Sequence, residues 1–310
     1  MKKIFLVLSA VVMTAISVSA QDLATATETF NNGAMELQMG NMEAALTNFQ
    51  SALEMAEALG EQGAEIATNC KGAIPQVMFS IAKGLIKDEN YEGALAQLDA
   101  TIAAANKYES ADVAAEAAEF IPQVYMQQGN TALKAKDMAT AVAAYTKVIE
   151  LEPANGNAML RLGQVYAATG KVDEAVAAFE QAAANGQEKT ANKQLSTLFL
   201  KKAQAAVKAK KFQEAVDFAA KSNSYLESAN AYRMAASAYQ QLNNTAECIA
   251  SYEKYLALNP NAKDATGVKY TIAALAQTAG NKEKAKEYYQ MILTDPQYGA
   301  TAKQMLEQLK

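Results

Sequence analysis

Arg161 and Arg233 are the chain's only arginines, and a guanidinium is the side chain best shaped to grip a carboxylate through two parallel hydrogen bonds. Little else here is equipped for chemistry. No histidine occurs anywhere, which removes Ser-His-Asp and Cys-His nucleophile systems, paired-histidine zinc sites and histidine-ligated haem. No Gly-x-Gly-x-x-Gly or phosphate-loop pattern appears. Carboxylates are plentiful but fall on polar stretches such as Glu283–Glu287, which read as solvated faces rather than an acid pair. Cys70 and Cys248 are the only two cysteines, too few for a thiolate metal site. No catalytic, cofactor-binding or metal-ligating set is expected, and the chain reads as non-enzymatic.

The elements that must position any binding surface are helices. Ala, Gln, Lys, Glu and Leu dominate, all strong helix formers. Apolar residues recur at helical spacing, as in Met159, Leu162, Gly163 and Tyr166, then Ala175, Val176, Phe179, Ala182 and Ala183. Short polar turns separate the stripes at Gly40-Asn41, Glu89-Asn90, Lys136-Asp137, Gly170-Lys171, Asn243-Asn244 and Gly280-Asn281. A Gly or Asn in such a pair can adopt the left-handed conformation that ends a helix. Strand signals are nearly absent, so the expectation is all-α, built from antiparallel helical hairpins.

The hairpins repeat. A small residue marks each second helix at Ala45, Ala94, Ala141, Ala175, Ala215, Cys248 and Ala285, usually with an aromatic or Leu four residues later. Residues 156–186 show the fullest pattern: Met159, Leu162, Gly163, Tyr166, Gly170, Ala175, Phe179 and Ala182. In these residues the chain resembles the tetratricopeptide repeat, a helix–turn–helix unit, over nearly the whole sequence after residue 20. The resemblance implies a right-handed α-solenoid of about seven hairpins, at about 26–59, 63–108, 110–153, 156–186, 190–227, 229–260 and 263–296. A cap is expected over 297–310, where Tyr298, Ala302, Met305, Leu306 and Leu309 fall at helical spacing.

Departures from the pattern carry information. Successive markers lie 49, 47, 34, 40, 33 and 37 residues apart, so the first two intervals are long. Both extra segments end alike, in Ile74-Pro75-Gln76-Val77 and Ile121-Pro122-Gln123-Val124, and so form a second repeat variant. Segments 63–74 and 110–121 read as helical, either as separate short helices or as extensions kinked at Pro75 and Pro122. In the first copy Gly33 reads as one residue off the register set by Ala45.

Residues 1–20 read as a cleavable export signal. Lys2 and Lys3 precede an apolar run from Ile4 to about Ile16, and Ser17-Val18-Ser19-Ala20 offers a cleavage site before Gln21. The run is shorter than the roughly 20 residues a membrane span needs. Without Lys2 and Lys3 the chain carries 26 basic and 33 acidic residues, a net charge of −7. Mild acidity argues against nucleic acid or anionic lipid as the main partner. The expected location is the periplasm or the medium, with no stable membrane insertion after cleavage, and self-association is left open.

Recognition is what the resemblance implies. In such proteins the first helices line a concave groove. Here the groove positions are Asn157, Leu160, Arg161 and Gln164, then Thr197, Lys201, Gln204 and Lys208, then Asn230, Arg233, Ser237 and Gln241. A protein or peptide partner is expected there, with an acidic or C-terminal segment as candidate ligand. Family members that clamp a terminal carboxylate use a Lys/Asn/Arg set over three adjacent repeats, and the matching positions here lack it. The rival expectation is a small-ligand, peptide or glycan-binding protein for uptake, which requires a deep pocket with aromatic walls. Tyr232, Tyr239 and Tyr252 fall at core positions, leaving Tyr255, Tyr288 and Tyr289 as candidates for stacking on a sugar.

Overall fold

An alanine-rich chain with few β-branched runs folds into helix alone. The computed structural model describes residues 18–310, and among the described residues there are fifteen α-helices and no strand. Most of the expected export signal, residues 1–17, lies outside the described residues. Helix α1 (Val18–Met39) pairs with α2 (Met42–Ala58), α3 (Ala64–Lys87) with α4 (Tyr91–Lys107), and α5 (Ala111–Lys134) with α6 (Met138–Leu151). These hairpins belong to one compact unit ending at Ala154.

A second unit, Asn155–Lys310, holds four more hairpins. They are α7 (Gly156–Ala168) with α8 (Val172–Ala182), α9 (Glu188–Lys208) with α10 (Phe212–Tyr225), α11 (Ala229–Gln241) with α12 (Thr245–Leu258), and α13 (Ala265–Thr278) with α14 (Lys282–Gln290). Helix α15 (Gly299–Gln308) follows. Within each unit the hairpins stack in chain order, every second helix packing on the first helix of the next.

One backbone device closes all seven hairpins. Gly40, Glu89, Lys136, Gly170, Lys210, Asn243 and Gly280 each adopt a positive φ, five residues before the small marker of the following helix. The next residue's N–H then reaches back five positions: Asn41 to Glu36, Asn90 to Leu85, Asp137 to Ala132, Lys171 to Tyr166, Lys211 to Ala206, Asn244 to Tyr239 and Asn281 to Ala276, all at 2.8–3.0 Å. That bond satisfies a carbonyl the helix end would leave bare. One turn differs from the sequence expectation: Glu89 rather than Asn90 takes the left-handed conformation, and in the pair with neither Gly nor Asn it is Lys136 that does so. The Asn or Asp is needed one residue later, where its side chain accepts the N–H of Gly93 or Thr140 and caps the second helix.

The markers sit at the tightest contacts. Ala45, Ala94, Ala141, Ala175, Ala215, Cys248 and Ala285 are all fully buried. Each of three rings lies sixteen positions after the glycine it packs against, Phe49 after Gly33, Tyr145 after Gly129 and Phe179 after Gly163. A β-carbon added at these glycines would stand 3.0, 2.6 and 2.7 Å from the nearest ring carbon. Gly33 is therefore in register, correcting the sequence reading.

Pro75 and Pro122 interrupt nothing. Each is buried near the middle of a continuous 24-residue helix, α3 or α5, so the added segments are extensions of first helices rather than separate ones. Proline removes one hydrogen bond, to Lys71 or Ala118 four residues back. Both of those residues lie on partly or fully exposed flanks, where water can take the freed carbonyl. The first halves bury Ile66, Ala67, Cys70 and Ile74 on α3, and Val113, Ala114 and Ala117 on α5. At the far end Ala302, Met305, Leu306 and Leu309 of α15 pack onto the last cluster, with Ile272, Tyr289 and Ile292.

Candidate functional site

The candidate groove residues all belong to the second unit, and the structure gathers half of them. On α9, residues 197, 201 and 204 share one face, while Leu195, Phe199, Ala203 and Ala206 on the opposite face are buried. On α11, residues 230, 233 and 237 do the same, with Ala231, Ala235, Ala236 and Ala238 turned inward. The two helices touch, and their polar faces bound an open trough of about 520 Å³. Thr197, Lys201, Gln204, Asn230, Arg233 and Ser237 form its walls, with Leu200, Val207 and Met234 beneath. All six wall residues are exposed, so this is a surface channel rather than an enclosed cavity.

The other six named positions do not line the trough. Lys208 and Gln241 are exposed in the last turns of α9 and α11. Asn157, Arg161 and Gln164 stand on α7, which is held off α9 by the turn at 183–187, where Gly186 has a φ of 85°. Arg161 donates to its own neighbour, Nη1 to Gln164 Oε1 at 3.2 Å. Leu160, expected in the groove, is buried instead.

Electrostatically the trough is cationic, since Lys201 and Arg233 line it and no carboxylate does. Lys201, Gln204, Asn230 and Ser237 hold no intramolecular side-chain hydrogen bond or ion pair, so their polar groups are available to a ligand. Arg233 is different. Its Nη2 lies 2.9 Å from Asp264 Oδ2, and its guanidinium sits 5.8 Å from the centre of the Tyr255 ring. Tyr255 donates its hydroxyl to Asp264 Oδ1 at 2.5 Å. Burial, and then the bond to Asp264, push the Tyr255 phenol above its usual range. Sequence reasoning missed Asp264 because nothing in its spacing ties it to Arg233, 31 positions earlier.

The tyrosines proposed for sugar stacking are committed elsewhere. Tyr255 and Tyr289 are buried, and Tyr289 donates to Gln277 Oε1 at 3.0 Å. Tyr288, packed on the C-terminal cluster, donates to Glu253 Oε1 at 3.2 Å. No aromatic ring lines the trough. In the first unit a smaller depression, about 150 Å³, opens between α1 and α3 over Phe30, Leu37, Phe49 and Val77. It falls below the roughly 300–1,000 Å³ of small-molecule sites.

Nothing else among the described residues assembles into a reactive site. No Asp or Glu is buried and no group of three metal-ligating side chains occurs. Cys70 and Cys248 are buried and unpaired, and burial pushes their thiols up to about 12 and about 11, so neither is a nucleophile at neutral pH. No described helix is long and apolar enough to cross a membrane.

Stacked hairpins with small-to-aromatic seams define an all-helical repeat fold. Models of the tetratricopeptide repeat match residues 126–189 and 229–262. The first of these contains the segment richest in the pattern, and the second covers α11, α12 and the turn after them. Tetratricopeptide repeats in general mediate contacts between proteins. No curated protein matches the sequence. Similar solved structures include a crystal structure of MamA, 20% identical, with 59% of this chain and 96% of that one covered at a TM-score of 0.35. PilF of Pseudomonas aeruginosa is 17% identical over 62% of this chain and 93% of its own, with a TM-score of 0.29. YrrB, described as a tetratricopeptide-repeat protein with an unusual peptide-binding site, is 20% identical over 58% and 91%, with a TM-score of 0.31.

Proposed function

We propose that this chain is a non-enzymatic scaffold which holds an extended segment of a protein partner in the α9–α11 trough, after export to the periplasm or the medium. The trough itself carries the proposal. Three uncommitted neutral polar side chains, Gln204, Asn230 and Ser237, and two cations, Lys201 and Arg233, face one open channel whose walls are fixed by buried alanine seams. A preformed channel orders little of the receptor on binding, so more of the contact energy appears as affinity. Its amide, hydroxyl and ammonium groups match the carbonyls and carboxylates of a peptide, and the absence of a ring at its walls counts against a sugar. The export assignment rests on the basic start, apolar run and small residues of 1–20.

A photo-crosslinking residue placed at Ser237 in cells tests the reading, with Lys254 on the exposed face of α12 as control. Ser237 should yield discrete protein adducts that Lys254 does not. Adducts at Lys254 alone, or identical smears from both, would refute the trough as the binding surface. Fractionation of the same cells tests export: protein recovered only in the cytoplasm, with residues 1–20 still attached, overturns that part.

A further inference from the structure

Asp264 stands at the N-cap of α13 and does not cap it. Asn90, Asp137, Asn155, Asn244 and Asn281, at the same position of other helices, each accept a backbone N–H three residues on. Asp264 spends its two oxygens on Arg233 and Tyr255 instead, at 2.9 and 2.5 Å. The carboxylate thus forgoes its local helix terminus for a cation one hairpin earlier in the chain. That cation is a wall of the trough, and it is the only wall group already holding an ion. Both partners remain open to water, with side-chain exposures of 56% and 37%. An ion pair that wet is weak and exchanges readily.

We infer that Asp264 is an internal stand-in for a carboxylate of the partner: the segment bound in the trough carries an Asp or Glu side chain that takes Arg233 from Asp264. This rests on the trough reading given above and adds the ligand's chemistry. Two cations and no anion among the lining residues favour an acidic segment. The exchange is close to balanced. Released from Arg233, Asp264 can turn to the bare N–H groups of α13, where an aspartate is among the best caps, while Arg233 keeps one carboxylate throughout. The internal pair therefore competes with an acidic segment for Arg233, while a neutral segment has no carboxylate to put in its place and gains nothing from its removal.

The probe is a fluorescein-labelled peptide of alternating Asp and Ser, with the Asn-Ser peptide of equal length as control, read by anisotropy against the full chain. Asp264→Asn keeps a capping side chain and removes the competing charge. It should bind the acidic peptide about three- to tenfold more tightly than the parent does, and the neutral peptide no better. Arg233→Gln should lose that gain, and adding Asp264→Asn to it should change nothing. If Asp264→Asn leaves acidic-peptide affinity unchanged or lowers it, or fails to bind that peptide, the stand-in idea is overturned. Ser237→Trp, which fills the trough, separates the two claims. Peptide binding that it abolishes keeps the trough reading alive even when Asp264→Asn has no effect; acidic-peptide binding that survives it sinks both.

Discussion

Replacing Gly163 by alanine sets two opposed effects against each other inside α7. Alanine is the better helix former by about 0.5–1 kcal/mol, so on local grounds the change stabilises. Its methyl carbon would stand 2.7 Å from Cδ1 and Cε1 of Phe179, against the 3.4 Å or more of ordinary contact. Phe179 is almost fully buried and flanked by Ala175 and Ala182, so the ring has little room to retreat. Overpacking of that kind costs about 1–3 kcal/mol, and the net expectation is a loss of about 1 kcal/mol. At a typical urea slope of about 2 kcal/mol/M this lowers the unfolding midpoint by about 0.5 M, read by far-ultraviolet circular dichroism. The second hairpin supplies the control, because Ala82 and Leu98 occupy the same register there, both fully buried. Phe179→Leu alone should cost about 1 kcal/mol through the space left by the ring. Combined with Gly163→Ala it should cost less than the sum, by about 1 kcal/mol of coupling. A midpoint that rises in Gly163→Ala, or strict additivity in the double variant, would falsify the claim that ring and glycine share one slot.

Two other outcomes follow from the turns and the thiols. Lys210→Gly should raise stability by about 0.5–1 kcal/mol, since Lys210 has a φ of 58° in the slot that Gly40, Gly170 and Gly280 fill elsewhere; an unchanged or lower thermal midpoint contradicts it. Alkaline stability should fall from about pH 9 upward. Thiols of the unfolded chain ionise near 9, while those of Cys70 and Cys248 are held up to about 12 and about 11 in the fold, so their contribution is complete below 9 and lost as pH rises through those values. The Cys70→Ala/Cys248→Ala variant should show a shallower fall between pH 8 and 11, and an identical slope in parent and variant counts against it.

Much of the architecture is legible because its causes are local. The small marker, the aromatic four residues later and the turn five residues earlier lie within about ten residues of one another, close enough for spacing alone to reveal a hairpin. Six of the seven hairpin turns announce themselves by Gly, Asn or Asp; the seventh, Lys210-Lys211, has none and is recognisable only from the backbone it adopts. Gly33 stands twelve residues before Ala45, as Gly129 before Ala141 and Gly163 before Ala175, so its register lies in the spacing, and the Phe49 ring packed against it confirms the position.

Composition, periodicity and turn chemistry by themselves determined that this chain is all helix, that its helices come in pairs and that histidine-dependent catalysis has no residues to run on. Tertiary structure alone decided three things. It carried α3 and α5 through Pro75 and Pro122 as continuous helices, because burial of the flanking apolar residues outweighs one missing hydrogen bond. It brought six of the twelve named groove residues to a single trough and left α7 outside, because the turn at 183–187 stands between α7 and α9. And it joined Arg233 to Asp264, a contact between side chains far apart in sequence that no periodicity encodes, since a charge finds its partner through space rather than along the chain.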